Sequence, residues 1–127
     1  LGGKTEIDLA EKLQKLNIKL SIFNACGHFS LNQSAACIRD ADLVITGDTG
    51  LMHIAAAYQQ KIVSIWGNTV PEFGMYPYMP QNSENAHRIE NKNLKCRPCS
   101  KLGYNKCPKQ HFKCMMDLDV SNVFPQI

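Results

Sequence analysis

One stretch of this chain, residues 42–58, most constrains how it can fold. Residues 43–45 form a continuous apolar run, as in a strand that is buried on both faces. A helix-forming stretch at 52–57 follows after only a short turn. A strand that leads at once into a helix is half of a β-α-β unit, so the sequence predicts a buried strand and then a helix from about 50 to 59.

The turn between this strand and helix has the composition of an anion-binding loop. Gly47, Thr49 and Gly50 allow a phosphate to approach the free N–H groups and the positive dipole end of the helix. The turn lacks the lysine of a Walker loop. We expect the ligand to be a nucleotide diphosphate. In the alternative interpretation the glycines only supply turn geometry, Asp48 or Thr49 caps the helix, and His53 is an ordinary helix residue.

The rest of the chain alternates between helix and strand patterns. Apolar residues at helical spacing behind capping-box motifs predict helices at about 6–16 and 31–40. Period-two or buried apolar patterns predict strands at about 18–24, 62–66 and 86–89. Strands that alternate with helices indicate an α/β fold with a parallel sheet and right-handed crossovers.

Two segments lack such a pattern. Residues 67–85 contain three prolines and follow directly on a strand end, so they are expected to form a binding loop or mobile segment on the same sheet edge as the 47–50 turn. Residues 119–123 are expected to add a last helical turn.

Length and composition favour one main domain. The chain has 127 residues, of which 44% are hydrophobic, and no apolar run approaches the roughly 20 residues of a membrane helix. No signal segment opens it, so a soluble, cytoplasmic protein is expected. The first residue is Leu1, and Leu-Gly-Gly reads as the end of a strand and its turn. We therefore expect the chain to begin partway into a longer protein.

The net charge of +3 conceals a strong asymmetry. Residues 1–85 contain six Lys and Arg against eight Asp and Glu, whereas residues 86–114 contain eight against one. This basic segment could face nucleic acid, an anionic lipid surface or an anionic saccharide, or it could be a solvated face without a partner.

Four of the six cysteines lie within the basic segment at spacings typical of a metal site. With His111 interleaved, they follow the pattern Cys96-x2-Cys99-x7-Cys107-x6-Cys114. In a cytosolic chain this spacing favours a tetrahedral, structural zinc ion, with two disulfide-closed loops or simple packing of reduced thiols as alternatives.

Residues 48–57, Asp-Thr-Gly-Leu-Met-His-Ile-Ala-Ala-Ala, resemble the signature of the heptosyltransferases of glycosyltransferase family 9, which build the lipopolysaccharide inner core. Further matches follow in the family's order, and the resemblance covers residues 1 to about 123. They are Gly-His-Phe-Ser-Leu at 27–31, Ala-Asp-Leu-Val at 41–44, Trp-Gly-Asn-Thr at 66–69, Cys-Arg-Pro-Cys at 96–99, Cys-Pro at 107–108 and Cys-Met at 114–115.

The resemblance implies a GT-B fold, in which two Rossmann-like domains face each other across a cleft. This chain is similar to most of the second, donor-binding domain, which holds ADP-heptose and requires no cofactor. Residues 1–93 would form the Rossmann-like nucleotide-sugar-binding domain with its start truncated. Residues 94–127 would form a cysteine-rich basic lobe and C-terminal segment that pack on the same domain.

The resemblance also assigns roles to single residues. Asp48 would hydrogen-bond the sugar, the N–H groups of Thr49 and Gly50 would bind the pyrophosphate, and His53 would lie close to the phosphates. Glu6 matches an acidic position that contacts the nucleoside in relatives.

The chain also departs from the family pattern. The acceptor domain with its general base is absent, as are the first strand and lysine of the donor domain, so no catalytic residue is expected here and the chain alone should not catalyse transfer. Leu51 and Asn68 stand where proline is frequent, which affects the expected sugar specificity.

The leading hypothesis is thus the ADP-heptose-binding half of an inverting heptosyltransferase of the lipopolysaccharide inner core. Such an enzyme stabilises the departing diphosphate electrostatically while a base in the other domain activates the acceptor. The acceptor would be lipopolysaccharide core held by the missing domain, with no nucleic acid partner, and the basic segment could contact the cytoplasmic face of the inner membrane. The alternatives are a zinc-ribbon-like module that binds nucleic acid through residues 86–114, and a nucleotide-binding scaffold without transferase activity.

Overall fold

A computed structural model describes residues 1–16 and 21–121 of the chain. In chain order its regular elements are α1 (Ile7–Leu16), α2 (Leu31–Arg39), β1 (Val44–Thr46), α3 (Gly50–Ala57), β2 (Ile62–Trp66), β3 (Ala86–Glu90) and α4 (Lys113–Met116). Three short 3₁₀ turns add to these, at Lys4–Glu6, Pro71–Phe73 and Ser83–Asn85. None of the helices in the described part is long and apolar enough to cross a membrane.

The three strands form one parallel sheet in the order β1-β2-β3. Ile62 of β2 lies opposite Val44 on one side and Ala86 on the other. All of β2 except Ile65 is buried, as the apolar sequence of a central strand requires. The predicted parallel α/β fold is therefore confirmed, and the bounds of these strands agree with the sequence patterns to within one residue.

Two predicted elements differ from the structure or extend beyond its described part. The strand expected at 18–24 falls partly on residues 17–20, which lie outside the described residues, and residues 21–25 are not in a strand. Ile22 and Phe23 are 40% and 77% exposed, so neither side chain is buried as it would be in a strand with one face in the core. Of the turn expected at 119–123, residues 120 and 121 are in 3₁₀ conformation, residue 119 is not helical, and residues 122 and 123 lie outside the described residues.

The chain divides into two compact units, residues 1–37 and residues 38–127. In the first unit the backbone closes between Gly27 N–H and the Gly2 carbonyl, at 2.9 Å. Gly27 has a φ of +71°, and a Cβ there would lie 2.9 Å from Ile7 Cδ1, so both the turn and the close approach favour glycine. The apolar face of α1 is largely open, with Leu9 and Leu13 both more than half exposed.

The core of the second unit forms where α3 packs on the sheet. Met52, Ile62 and Trp66 are fully buried in it. The Trp66 indole Nε1–H donates to Ser64 Oγ at 3.0 Å, and the Ser64 hydroxyl donates to the His87 carbonyl at 3.1 Å. The first of these hydrogen bonds lies within β2 and the second joins β2 to β3, so each buried polar group finds a partner inside an otherwise apolar core.

Replacing Ser64 by alanine tests this chain of hydrogen bonds. Ser64→Ala leaves the buried indole N–H without its acceptor, which should lower the free energy of unfolding by about 1–3 kcal/mol. Urea denaturation followed by circular dichroism measures the loss. In a Trp66→Phe background, which has no indole N–H, the same substitution should cost clearly less; equal costs in the two backgrounds would contradict the coupling.

Candidate functional site

The predicted anion-binding turn lies between the carboxyl end of β1 and the start of α3. Thr49 is the residue before the first helical position, its backbone is extended (φ −142°, ψ 162°), and its side chain makes no capping hydrogen bond. The carboxylate of Asp48 instead accepts a hydrogen bond from the Thr69 hydroxyl at 3.3 Å. The interpretation of Thr49 as a helix cap is therefore wrong, and Asp48 is directed to the neighbouring strand end.

The start of α3 is open to a ligand. The first amides of a helix have no acceptor within the helix, and the Met52 N–H, which donates to the Thr49 carbonyl at 3.1 Å, is already satisfied. Asp48, Thr49 and Gly50 are all exposed, and no atom lies within 4 Å of the position that a Cβ on Gly50 would take. Free N–H groups, the positive helix end and this open space suit an anion such as a phosphate.

The remaining predicted site residues fall in different places. His53 is exposed in α3, one turn after Thr49, so the structure brings it together with residues 48–50. Glu6 belongs to the first compact unit, where its carboxylate accepts hydrogen bonds from the Thr5 hydroxyl at 2.5 Å and the Gly3 N–H at 2.7 Å. These bonds, the Thr5 bond first, hold the pKa of Glu6 below its ordinary value. Its contact with a nucleoside stays a prediction.

A second loop, which we term the strand-end loop (residues 67–69), follows β2 and lies beside the 47–50 turn. The hydrogen bond from Thr69 to Asp48 joins the two directly, and Thr69 is only 7% exposed. The start of the 67–85 segment was predicted to lie at the same sheet edge as the turn, and this placement is confirmed.

The strand-end loop is held by a buried guanidinium. The Arg97 side chain is 4% exposed and donates from Nε to the Gly67 carbonyl at 2.5 Å, and from Nη2 to the Thr69 carbonyl at 2.9 Å. Its Nη1 donates to the Asn91 carbonyl at 2.7 Å, and its Nη2 pairs with Glu90 Oε2 at 3.2 Å. The Glu90 side chain is likewise 4% exposed. One side chain thus ties the ends of β2 and β3 to the cysteine-rich segment.

Sequence reasoning missed this pair, because it treated all basic residues of 86–114 as one surface patch. Seven of the eight are indeed exposed, but Arg97 faces inward and is not free to attract an external anion. The available signal was Glu90, the only acidic residue in that segment. A single carboxylate after an apolar strand, among eight cations, favours a buried partner.

The cysteine-rich segment (residues 94–116) also grips the strand-end loop through its backbone. Asn68 Nδ2 donates to the Tyr104 carbonyl at 2.7 Å, and the Asn68 carbonyl accepts the Cys99 N–H at 3.0 Å. Gly103 has a φ of +79°, and a Cβ on it would lie 2.5 Å from Asn68 Oδ1. Only glycine fits so close an approach, so the segment is seated directly on the loop.

A cavity of about 350 Å³ opens between the 47–50 turn, the strand-end loop and the cysteine-rich segment. Its polar lining comes from Asp48, Asn68, Thr69, Tyr104 and Asn105, and its apolar lining includes Leu102, Phe112 and Met115. Pockets with an apolar wall and a few placed polar groups are typical of small-molecule sites.

The four thiols of the cysteine-rich segment are all free, and they affect one another. Burial, followed by the neighbouring Cys96, raises the pKa of Cys99; burial, followed by Cys99, raises the pKa of Cys114. The pKa of Cys107 is lowered, mainly because its sulfur accepts the Phe112 N–H at 3.4 Å. The gathering of these four cysteines into one lobe stays a prediction.

A metal site requires more than cysteines that lie near one another. Cys96 Sγ lies 3.8 Å from His111 Nε2, but within residues 1–16 and 21–121 no group of three or more Cys, His, Asp or Glu side chains is arranged to hold a metal ion. Zinc at Cys96, Cys99, Cys107 and Cys114 therefore stays a hypothesis drawn from their spacing.

The family profile of glycosyltransferase family 9 (heptosyltransferase) matches residues 1–107. The chain belongs to glycosyltransferase family 9. No solved structure matches it.

Individual relatives extend the match along the chain. Lipooligosaccharide heptosyltransferase 2 of Campylobacter jejuni (serotype O:2) is 34% identical over 129 residues, which cover 98% of this chain and 37% of the relative. The protein of the same name from Haemophilus influenzae is 35% identical over 106 residues, covering 81% and 28%. Lipopolysaccharide heptosyltransferase 2 of Escherichia coli is 36% identical over 50 residues, covering 39% and 14%. The chain thus spans well under half the length of these relatives.

The buried ion pair offers a sharp test against an exposed one in the same chain. Arg97→Ala leaves the Glu90 carboxylate buried without its cation and should lower the free energy of unfolding by about 3–5 kcal/mol in urea titrations. Arg97→Lys should recover only part of this loss, because an ammonium group cannot reproduce the planar fork of the guanidinium.

The control is Arg39→Ala. Arg39 also pairs with a carboxylate, that of Asp40 at 2.7 Å, but these side chains are 58% and 66% exposed. Solvent screens such a pair, so the urea midpoint should stay close to that of the unsubstituted chain. Equal losses for Arg97→Ala and Arg39→Ala would contradict a structural role for the buried guanidinium.

Proposed function

We propose that this chain is the nucleotide-sugar-binding part of an inverting heptosyltransferase of lipopolysaccharide core biosynthesis, with ADP-heptose as the donor. One observation carries the proposal: the uncapped, exposed start of α3 lies next to Asp48 in a chain that matches lipooligosaccharide heptosyltransferase 2 over 98% of its length. This part of the fold would be the second, Rossmann-like domain of a GT-B enzyme, with residues 94–127 as a lobe of that domain.

The turn has the chemistry that a departing diphosphate requires. The N–H groups of Thr49 and Gly50 donate to phosphate oxygens at the positive end of α3, and His53 offers a further donor one turn on. Fixed donors of this kind stabilise the negative charge that develops as the sugar leaves. The carboxylate of Asp48 accepts hydrogen bonds from sugar hydroxyls, and Glu6 contacts the nucleoside. Binding by amides and a helix dipole needs no cofactor.

Our proposal places the activation of the acceptor in another part of the protein. An inverting transfer needs a base that activates the acceptor hydroxyl, and we place that base and the lipopolysaccharide acceptor in a part of the protein outside these 127 residues. The chain alone then binds the donor without transferring it. The exposed basic residues of 86–114 would face the anionic cytoplasmic surface of the inner membrane. A nucleic-acid-binding module is not favoured, because it leaves residues 42–69 without a role.

A nucleotide thermal-shift series tests the proposal. ADP and ADP-heptose should raise the melting temperature of the chain more than UDP or GDP does, and a ligand at 100 times its Kd adds about 2.7 kcal/mol of stability. Equal shifts for all nucleotides, or none, would contradict the donor-binding role.

A pair of substitutions at Gly50 isolates the phosphate-binding amide. Gly50→Pro removes the N–H at the first helical position, where proline is tolerated and where the extended Thr49 before it suits proline. Gly50→Ala keeps the N–H and meets no atom within 4 Å. ADP affinity should fall about tenfold or more in Gly50→Pro and stay near normal in Gly50→Ala, since a hydrogen bond to a charged group contributes about 1.5–3 kcal/mol. Equal affinities in the two variants would show that this amide does not bind phosphate.

The zinc hypothesis has its own measurement. A closed four-cysteine site would hold about one zinc ion per chain and leave no position for substrate, so the metal would stabilise the lobe and do no chemistry. Elemental analysis of protein purified without chelator should then find that zinc, and chelation should release it. Metal-free protein with four titratable thiols would eliminate both zinc and disulfides.

A further inference from the structure

The cavity beside Asp48 has one wall that the anion-binding turn does not explain. That wall is formed by the cysteine-rich segment, with Leu102, Tyr104 and Asn105 on one stretch and Phe112 and Met115 beyond it. The volume of about 350 Å³ is at the small end of ligand pockets and suits a monosaccharide rather than a whole nucleotide sugar.

The lining of this cavity matches a sugar. Asp48, Asn68 and Asn105 supply hydrogen-bond acceptors and donors for hydroxyl groups. The Tyr104 side chain is 54% exposed and presents an apolar ring with a polar tip. A polyhydroxylated ring has both polar edges and apolar C–H faces, so it needs a lining of this mixed kind.

The wall is held at a fixed place relative to Asp48. The Tyr104 carbonyl is tied to Asn68, Arg97 fixes the carbonyls of Gly67 and Thr69, and Thr69 donates to Asp48. Every step of this chain of contacts is a hydrogen bond within the second compact unit. The distance between Tyr104 and Asp48 is therefore set by the fold and not by the ligand.

We propose that Tyr104 and Asn105 bind the sugar of the donor and determine which sugar the site accepts. This inference rests on the proposed function, because it places the sugar next to a diphosphate bound at the start of α3. It assigns a substrate-contacting role to the cysteine-rich segment.

Isothermal titration of the chain with ADP and with ADP-heptose separates the two ends of the donor. Tyr104→Ala and Asn105→Ala should each weaken ADP-heptose binding about tenfold while ADP affinity stays within about twofold of the unsubstituted chain. Asp48→Asn should behave in the same way. Tyr104→Phe keeps the ring and loses the hydroxyl, so it divides the effect between stacking and hydrogen bonding.

The matched control is Tyr58→Ala. Tyr58 is an exposed tyrosine at the opposite end of α3, 45% exposed, and its loss should change neither affinity. Unchanged ADP-heptose affinity in the Tyr104 and Asn105 variants would overturn the inference, and so would an equal loss for ADP and ADP-heptose. If the unsubstituted chain binds neither ADP nor ADP-heptose, the proposed function itself is wrong. If it binds both and the variants show no selective loss, only the role of Tyr104 and Asn105 is wrong.

Discussion

The buried guanidinium of Arg97 is the interaction on which the rest of the site depends. Burying a charge costs several kcal/mol unless it is paired and fully hydrogen-bonded. Arg97 is paired with Glu90 and donates to the backbone carbonyls of Gly67, Thr69 and Asn91, although Oε1 of Glu90 itself has no hydrogen-bond partner among the described residues. Those carbonyls lie at the ends of parallel strands, where no further strand hydrogen bonds are available. The guanidinium N–H groups therefore bind these carbonyls in place of a neighbouring strand. A lysine could not do so, because its ammonium group lacks the planar fork of donors.

The candidate site is therefore formed by two parts of the chain, the sheet with α3 and the cysteine-rich segment. The sheet and α3 supply the anion-binding end, in which backbone groups and the helix dipole act. The cysteine-rich segment supplies the other wall, and hydrogen bonds of Asn68 and Arg97 attach it to the sheet. A segment attached by a few directed hydrogen bonds can change its loop residues without disturbing the core. If the proposed function holds, the residues that contact the sugar can therefore vary in such a fold while the diphosphate site stays the same.

Local sequence patterns allowed much of the fold to be predicted. Contacts between residues from different segments could not be predicted from such patterns. The apolar run of β2 and the turn at Asp48 carry their signals within a few residues, and both are in place. The Arg97–Glu90 ion pair and the hydrogen bond from Asn68 to the Tyr104 carbonyl depend on the folded arrangement of the chain, which no helical or strand periodicity reveals. The alternation around Ile22 shows the opposite error, because a period-two pattern predicts a strand only where one face becomes buried.

The spacing of the four cysteines favours a zinc site, but spacing alone does not establish one. Burial raises the pKa of Cys99 and Cys114, whereas the Phe112 N–H lowers the pKa of Cys107. Metal ligation requires thiolates, so zinc would have to offset the cost of deprotonating Cys99 and Cys114. The hydrogen bonds of Asn68 and Arg97 fix residues 97–104 without any metal. A zinc ion would therefore act mainly on the part of the lobe beyond Tyr104, where Cys107 and Cys114 lie.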